Sequence, residues 1–435
     1  MERLFQQDDH ARQRIRFPNP NLFFQLSLLP QDILFEILIR LGAKSRGKLC
    51  CVSKSFRSII TGPSFVEFHR NWSTASDRGT TILFSISAPV DTPKSDDFTD
   101  KSAWFKYCSP PEEFYTINYK SHQGNQPLEA KRVRHMDKVG NFSEFRYGSS
   151  AGDLICLSDC LDGGKGVICN LRSGQQTALL TTTPDWAVYQ TNAFVLLGFD
   201  SSSATYKVLK SEFGDPTVKH WVLTLGVDAT WREINSSAQF YPGCHYNTSV
   251  CINGVLYFYN GRRTKAAVRD FPIVAFDLRS ETFRLIALPQ AKSVMEAMEQ
   301  GDMAKSSFVE LDGRFTVIRI FQNMLITWSL DMVANLAACW KKHNFLLPFE
   351  LHGPFQVAGS KTFCTLTTIP TGEIVVLTRT GETCSVWVLF DKFGPEGLIW
   401  KKFGINGLGD FPNYDVQAFK AVMVQNLAEN VLHPE

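Results

Sequence analysis

The 435-residue chain reads as a small all-α head followed by a large all-β domain of the β-propeller type. Three observations carry this reading. A short apolar helix, "LPQDILFEILIRL", sits close to the N-terminus, and apolar residues after it recur at helical spacing. From about residue 80, short β-branched and aromatic runs alternate with Gly, Asn, Asp and Pro turns. Turn glycines within that region recur every 50 to 60 residues.

The head comes first in the chain. Pro30 falls near the first turn of the helix and Asp32 just inside it. Ile33, Ile37 and Leu41 form one apolar stripe, with Leu34 and Leu38 beside it; Phe35 and Ile39 lie largely across from it. One face cannot hold all these side chains, so the helix has apolar surface to spare. Gly42 is a helix stop. Leu49, Val52, Phe56, Ile59 and Ile60 then mark a second amphipathic stretch, ended by Gly62–Pro63. Ser64 caps a further short helix with Phe65, Val66 and Phe68. Residues 26 to 72 therefore read as three or four short helices. A unit of this size is near the lower limit for folding alone and calls for a partner surface. Arg40, Lys44, Arg46, Lys48, Lys54 and Arg57 occur with no acidic residue among them. This suits a solvated face or an acidic protein partner. Nucleic acid is disfavoured, because no aromatic or amide readout residues interleave.

The β region offers clear strands: "TTILFSI", "DLICL", "GVICN", "FVLLGF", "YKVLKSEF", "HWVLTLGV", "GVLYFYN", "PIVAFDL", "TFRLIAL", "RFTVIRIF", "LITWSL", "EIVVLTR" and "CSVWVLF". Turn glycines precede strands at Gly152, Gly254, Gly313 and Gly372, the last three 59 residues apart. Each unit goes on to a strand, a turn and an aromatic residue, as in "VWVLFDKFGPEGLIW" and "WVLTLGVDATWREI". That is the spacing of a kelch-like propeller blade, and it predicts six or seven blades. A β-sandwich pair is the alternative. Residues 292–306 and 416–432 have helical patterns, and Asp91–Trp104 reads as a loop or linker.

Composition removes several classes. Net charge is +2, which gives no reason for nucleic acid, a membrane surface or an acidic substrate. No apolar run suffices for a signal peptide or a membrane span. Eleven scattered cysteines without a C-x-x-C pair read as reduced, buried thiols in an intracellular protein. Asparagine triplets at Asn71, Asn141, Asn235 and Asn247 are chance matches to the glycosylation signal.

Catalytic patterns are weak. "GSSAG", centred on Ser150, matches G-x-S-x-G, but a strand follows where a nucleophile elbow needs a helix; a blade-opening turn is expected. "DGGKG", Asp162 to Gly166, lacks the phosphate-loop spacing and reads as a hairpin turn. Cys244–His245 has no second ligand pair for zinc. "KRVRH" and "GRRTK" read as solvated basic loops, with nuclear import or contact with a substrate's acidic patch as the alternatives. Trp186, Tyr189, Tyr241, Tyr246 and Phe271 are loop aromatics suited to a recognition surface, or to the core. No metal, cofactor or catalytic residue is expected.

The head resembles an F-box. Leu29, Pro30, Asp32, Glu36, Ile37, Leu38, Arg40, Leu41, Lys44, Ser45, Cys51, Val52, Lys54 and Arg57 follow that family's pattern in order. Gly42 stands where a Pro is common, Arg46–Gly47 replace apolar residues, and Phe56 replaces a frequent Trp. The β region resembles the plant-type F-box-associated domain through "GSSAGDLICL", "ATYKVLKSEF…WVLTLGVDATWREI" and "CINGVLYFYN…IVAFDLRSETFRLIALP". The resemblance implies four parts: a disordered tail at 1–22, an F-box at 23–72, the associated domain at 80–415, and a C-terminal tail at 416–435. It implies a non-catalytic substrate adaptor of an SCF (Skp–cullin–F-box) ubiquitin ligase, in the cytoplasm and/or nucleus. The F-box would bind the Skp-family adaptor, and through it a cullin–RING ligase, by Leu29, Pro30, Ile33, Ile37, Leu38, Leu41, Val52 and Phe56. The β domain would bind an unidentified protein substrate. A non-ligase F-box scaffold protein is the alternative, and a propeller enzyme a third.

Overall fold

The computed structural model describes residues 30–40, 49, 53–62, 64–65, 80–87, 112–120, 124–134, 136, 146–152, 154–159, 164–171, 174–179, 192–200, 202–213, 218–236, 249–260, 273–287, 306–332, 338–352, 362–369, 372–380, 383–390, 399–408 and 419–424. Two units separate, Met1–His69 and Arg70–Glu435.

The first unit holds helices α1 (Gln31–Arg40) and α2 (Lys54–Thr61). Helix α2 starts on Ser53, whose hydroxyl accepts the Phe56 N–H, and Gly62 donates back to the Ile59 carbonyl at its end. Leu49, Ser64 and Phe65 are also helical; the remaining residues expected in further head helices lie outside the described set.

The second unit is built from four-stranded antiparallel sheets. The first takes β1 (Thr80–Ser87), β2 (Glu112–Tyr119) and β3 (Leu128–Arg132). The second has β4 (Arg146–Ala151), β5 (Leu154–Asp159), β6 (Lys165–Asn170) and β7 (Gln176–Leu179). The third has β8 (Asn192–Asp200), β9 (Thr205–Phe213), β10 (Val218–Thr224) and β11 (Arg232–Ile234). The fourth has β12 (Ser249–Ile252), β13 (Val255–Tyr259), β14 (Ile273–Asp277) and β15 (Thr282–Ile286). The fifth has β16 (Ser306–Leu311), β17 (Arg314–Phe321), β18 (Met324–Met332) and β19 (Ala338–Leu346). The sixth has β20 (Thr362–Thr368), β21 (Ile374–Thr380), β22 (Thr383–Leu389) and β23 (Trp400–Asn406). A last strand, β24 (Phe419–Val424), pairs antiparallel with β1 and completes the first sheet.

This corrects two expectations. Residues 419–424 are a strand, not part of a helix, and belong to the first sheet rather than to a tail. "FKAVMV" fits both periods, and the bare edge of β1 decides between them. The run 292–305 lies outside the described residues, and Ser306 already begins β16.

All the strands quoted from the sequence fall on observed strands. The turn glycines have positive φ, at 57° for Gly152, 78° for Gly254, 74° for Gly313 and 92° for Gly372. Asn253–Gly254 and Asp312–Gly313 are two-residue turns with both φ positive, the hairpin geometry that matches strand twist. "GSSAG" departs from its expected role as a turn: Gly148 to Ala151 belong to strand β4, and only Gly152 turns.

The first strands of successive sheets lie side by side: β4 with β8, β8 with β12, β12 with β16, β16 with β20, β20 with β24, and β24 with β4. Each sheet shares an apolar cluster with the next, and the sixth shares one with the first through Val375, Leu377, Val386, Ile82, Phe84 and Ile117. This is not the two-layer packing of the alternative sandwich. The aromatic residue after the third strand acts as a pin between sheets. Trp340 Nε1 donates to the Ala287 carbonyl of the fourth sheet at 3.0 Å, and Trp400 Nε1 donates to Leu346 of the fifth at 3.0 Å.

A second join links the sixth sheet to the first. The end of β23 runs parallel to β3, pairing Ile405 with Leu128 and Asn406 with Glu129. Asn406 Nδ2 donates to Glu129 Oε1 at 3.1 Å. Gly407 follows at φ 77°, and a β-carbon there would stand 2.6 Å from the Ala130 carbonyl oxygen. Only glycine fits that approach.

Candidate partner-binding surface

Helix α1 divides its apolar side chains between two faces. Leu34, Phe35 and Leu38 point into a core with Phe56, Ile60 and Phe65, flanked by Leu49 and Ile59. Phe35 and Phe65 meet edge to face, centroids 5.2 Å apart. Ile33 and Ile37, one turn apart, remain 49% and 37% exposed, and Pro30 is exposed at the helix start. On α2, Lys54 and Arg57 are exposed.

The eight residues expected to contact a partner therefore separate. Pro30, Ile33 and Ile37 form a surface stripe. Leu38 and Phe56, at 2% and 5% exposure, lie in the core of the head, where an enclosed side chain has little area to offer a partner. Leu29, Leu41 and Val52 lie outside the described residues. Sequence spacing puts Ile37 and Leu38 side by side, and only the packing of α2 shows which of them is covered.

The β domain presents polar constellations of its own. Glu281, in the turn after β14, receives both guanidinium N–H groups of Arg232 at 3.0 and 3.1 Å and the Lys207 ammonium at 2.7 Å. Arg232 Nε also reaches Asp228 at 3.2 Å, and the Thr224 N–H donates to the same carboxylate at 2.7 Å. The Arg232 bonds, joined by Lys207, hold Glu281 below the usual carboxylate range despite burial. For Asp228, burial acts to raise the value, but the Thr224 and Arg232 bonds outweigh it and the net shift is downward. This clamp ties the third sheet to the fourth, and it was not read from the sequence because its members are 49 residues or more apart across the joint.

Lys210 is fully buried, with Nζ 2.8 Å from Glu212, which also accepts from Trp221 Nε1 at 3.1 Å. Burial pulls the ammonium below its usual value, partly offset by Glu212. Ser211 Oγ and His220 Nδ1 are 2.9 Å apart, yet both side chains are only 1% exposed and sealed from any substrate. Ser150 lies on β4 and is followed by strand β5, without the strand–turn–helix of an elbow. Its neighbour Ser149 accepts the Leu197 N–H at 2.8 Å and joins the second sheet to the third. In "DGGKG", Gly164 turns with φ 68° into β6, as a hairpin should. "KRVRH" overlaps the end of β3, where Arg132 pairs with Glu113 at 2.8 Å, so it is not wholly loop. Cys244–His245, "GRRTK", Asp91–Trp104 and the five loop aromatics lie outside the described residues. Among the described residues no group of three or more His, Cys, Asp and Glu side chains is placed to hold a metal, and no helix is long and apolar enough to cross a membrane.

A small helical head with an exposed apolar stripe, followed in the chain by six sheets packed in succession, is the two-part organisation of this protein. Residues 26–68 match the F-box domain, and residues 103–424 match the F-box associated beta propeller domain. The chain belongs to the family of F-box proteins that carry an F-box associated beta propeller domain. F-box protein DOR of Arabidopsis thaliana is 31% identical over 60% of this chain and 61% of its own length. F-box protein At1g67130 of the same plant is 28% identical over 89% of this chain and 76% of its own. Among solved structures, the Aleuria aurantia lectin aligns over 77% of this chain and 98% of that one, at 11% identity and a TM-score of 0.38.

Proposed function

We propose that this protein is the target-binding subunit of an SCF ubiquitin ligase. The head binds a Skp-family adaptor, the adaptor binds a cullin–RING core, and the β domain, read as a closed six-bladed propeller, holds the protein to be ubiquitinated. The chain makes and breaks no bonds. It acts by proximity, raising the effective concentration of a target beside the loaded ubiquitin-conjugating enzyme.

The observation that carries this reading is the exposed Pro30–Ile33–Ile37 stripe on a helix whose other side already builds the core. Large aliphatic side chains in a row, rimmed by polar residues, mark a protein contact. The exposed Lys54 and Arg57 on α2 suit an acidic partner. The test is co-purification of the full chain with a Skp-family adaptor and a cullin. Wild type should retain both, and Ile33→Glu with Ile37→Glu should lose both while remaining folded. Adaptor without cullin would instead make the protein a scaffold outside the ligase, and retention by the double variant would remove the stripe from the interface.

A further inference from the structure

The outer, fourth strands of the sheets are unequal. β7 has 4 residues, β11 has 3, β15 has 5 and β23 has 7, whereas β19 has 9. The end of β23 is taken up by β3. β19 closes the order β16-β17-β18-β19, and no described strand pairs with its far edge. A long bare edge is a template for another strand, which is why folded proteins usually keep their edge strands short.

The register fixes which groups face outward. Met324 opposes Leu346, and the Leu347 N–H donates to the Asn323 carbonyl at 2.9 Å. Bonding pairs alternate along an antiparallel ladder, so Lys341, His343 and Phe345 bond to β18 while Trp340, Lys342 and Asn344 turn N–H and C=O to the open edge. The Leu346 carbonyl is taken by Trp400 Nε1, which marks the end of the open stretch. Lys342, Asn344 and Leu346 share one face of the strand. The first two are exposed and Leu346 is 51% exposed, with Phe349, 83% exposed, just beyond.

Charge selects the occupant. A second copy added antiparallel about Lys342 would set Lys342 against Lys342, which is destabilising, and one added about Asn344 would set Lys342 against Leu346, so neither gives the ammonium an acidic partner. Lys341 already pairs with Asp331 at 2.8 Å on the other face, whereas Lys342, its ammonium 5.8 Å from the centroid of the Trp328 ring, is exposed and has no carboxylate in contact among the described residues, so discrimination falls to Lys342. We propose that β19 receives an extended acidic segment of the target protein as a fifth strand. The segment bonds to the main chain of Trp340, Lys342 and Asn344, sets an acidic side chain opposite Lys342, and places an apolar one beside Leu346. This rests on the reading of the β domain as the target-binding part.

The test uses the full chain and two labelled synthetic peptides, Thr-Leu-Thr-Ser-Thr-Glu-Thr for antiparallel and Thr-Glu-Thr-Ser-Thr-Leu-Thr for parallel addition. One of them should bind and slow hydrogen exchange at the Lys342 and Asn344 amides. Replacing its Glu by Lys should weaken binding by about ten-fold, and Lys342→Glu should reverse that preference. Asn344→Pro should abolish binding with an unchanged melting temperature, because an outward-facing edge N–H contributes nothing to the ladder. The proposal is overturned if neither peptide protects β19, if Lys342→Glu leaves the preference unchanged, or if sedimentation shows wild-type chains dimerised through this edge. Adaptor co-purification on the same preparation reports on the ligase reading independently.

Discussion

The division of α1 into two faces makes a quantitative prediction. Complete burial of an isoleucine side chain is worth about 1.5–3 kcal/mol. Ile33 and Ile37 are still 49% and 37% exposed, so together they have roughly 2 kcal/mol left to gain against a partner. Truncating both to Ala should therefore weaken adaptor binding by about thirty-fold. The fold should be untouched, because neither belongs to the head's core. Leu38 is the contrast. At 2% exposure its truncation removes core packing, with a cost of about 2–5 kcal/mol. A head this small has little stability to lose. Leu38→Ala should thus abolish binding by unfolding the head. Titration calorimetry with a purified Skp-family adaptor gives the affinities, and hydrogen exchange across α1 reports whether the head is folded. The reasoning fails if the Ile33/Ile37 double variant binds within about two-fold of wild type. It fails equally if Leu38→Ala keeps α1 protected yet binds weakly, since Leu38 would then face the partner.

Glu281→Gln should cost about 1–2 kcal/mol in urea unfolding by weakening the clamp between the third and fourth sheets. The clamp also has a pH signature. Glu281 and Asp228 are depressed in the folded state, so their stabilisation is complete above about pH 4.5 and drains as pH falls through the folded values; acid midpoints should rise in Glu281→Gln. Gly407→Ala should destabilise by about 2–3 kcal/mol, from positive-φ strain plus the clash with Ala130, read as a lowered melting temperature. Among the described cysteines, exposed Cys339 should alkylate in the native protein near pH 8 while Cys156, Cys169 and Cys384 do not. Burial raises all three thiols, Cys169 and Cys384 to about 11, and peptide mapping reads the pattern.

What the sequence made legible follows from burial. Strands with both faces covered read plainly where nearly every residue is apolar: in "IVAFD" the four residues Ile273 to Phe276 are all buried. Outer strands did not stand out. β7 ("QTAL"), β11 ("REI") and β23 ("WKKFGIN") are largely exposed and share their composition with loops. β11 and β23 were signalled by the aromatic that precedes or opens the strand, Trp231 and Trp400, and β7 has no such residue. β24 was misread because the residues that make it a strand belong to β1, more than 300 positions earlier. The head was legible as a greasy helix with surface to spare, but the choice between Ile37 and Leu38 depends on α2 and has no local signature.

The same logic explains why the candidate target edge is the feature that sequence reading passed over. β19, "ACWKKHNFL", has too many polar residues to look like a strand and too few turn residues to look like a loop. An outer strand that only capped its sheet would be short, as β7, β11 and β15 are. β19 keeps pace with β18 for all nine residues, holding its lysines in extended register instead of releasing them to a loop. Ordering nine residues costs backbone entropy in proportion to length. Bonds to β18 offset that cost along one edge only, and a strand added along the other would complete the ladder, with Lys342 setting the sign of the charge it accepts.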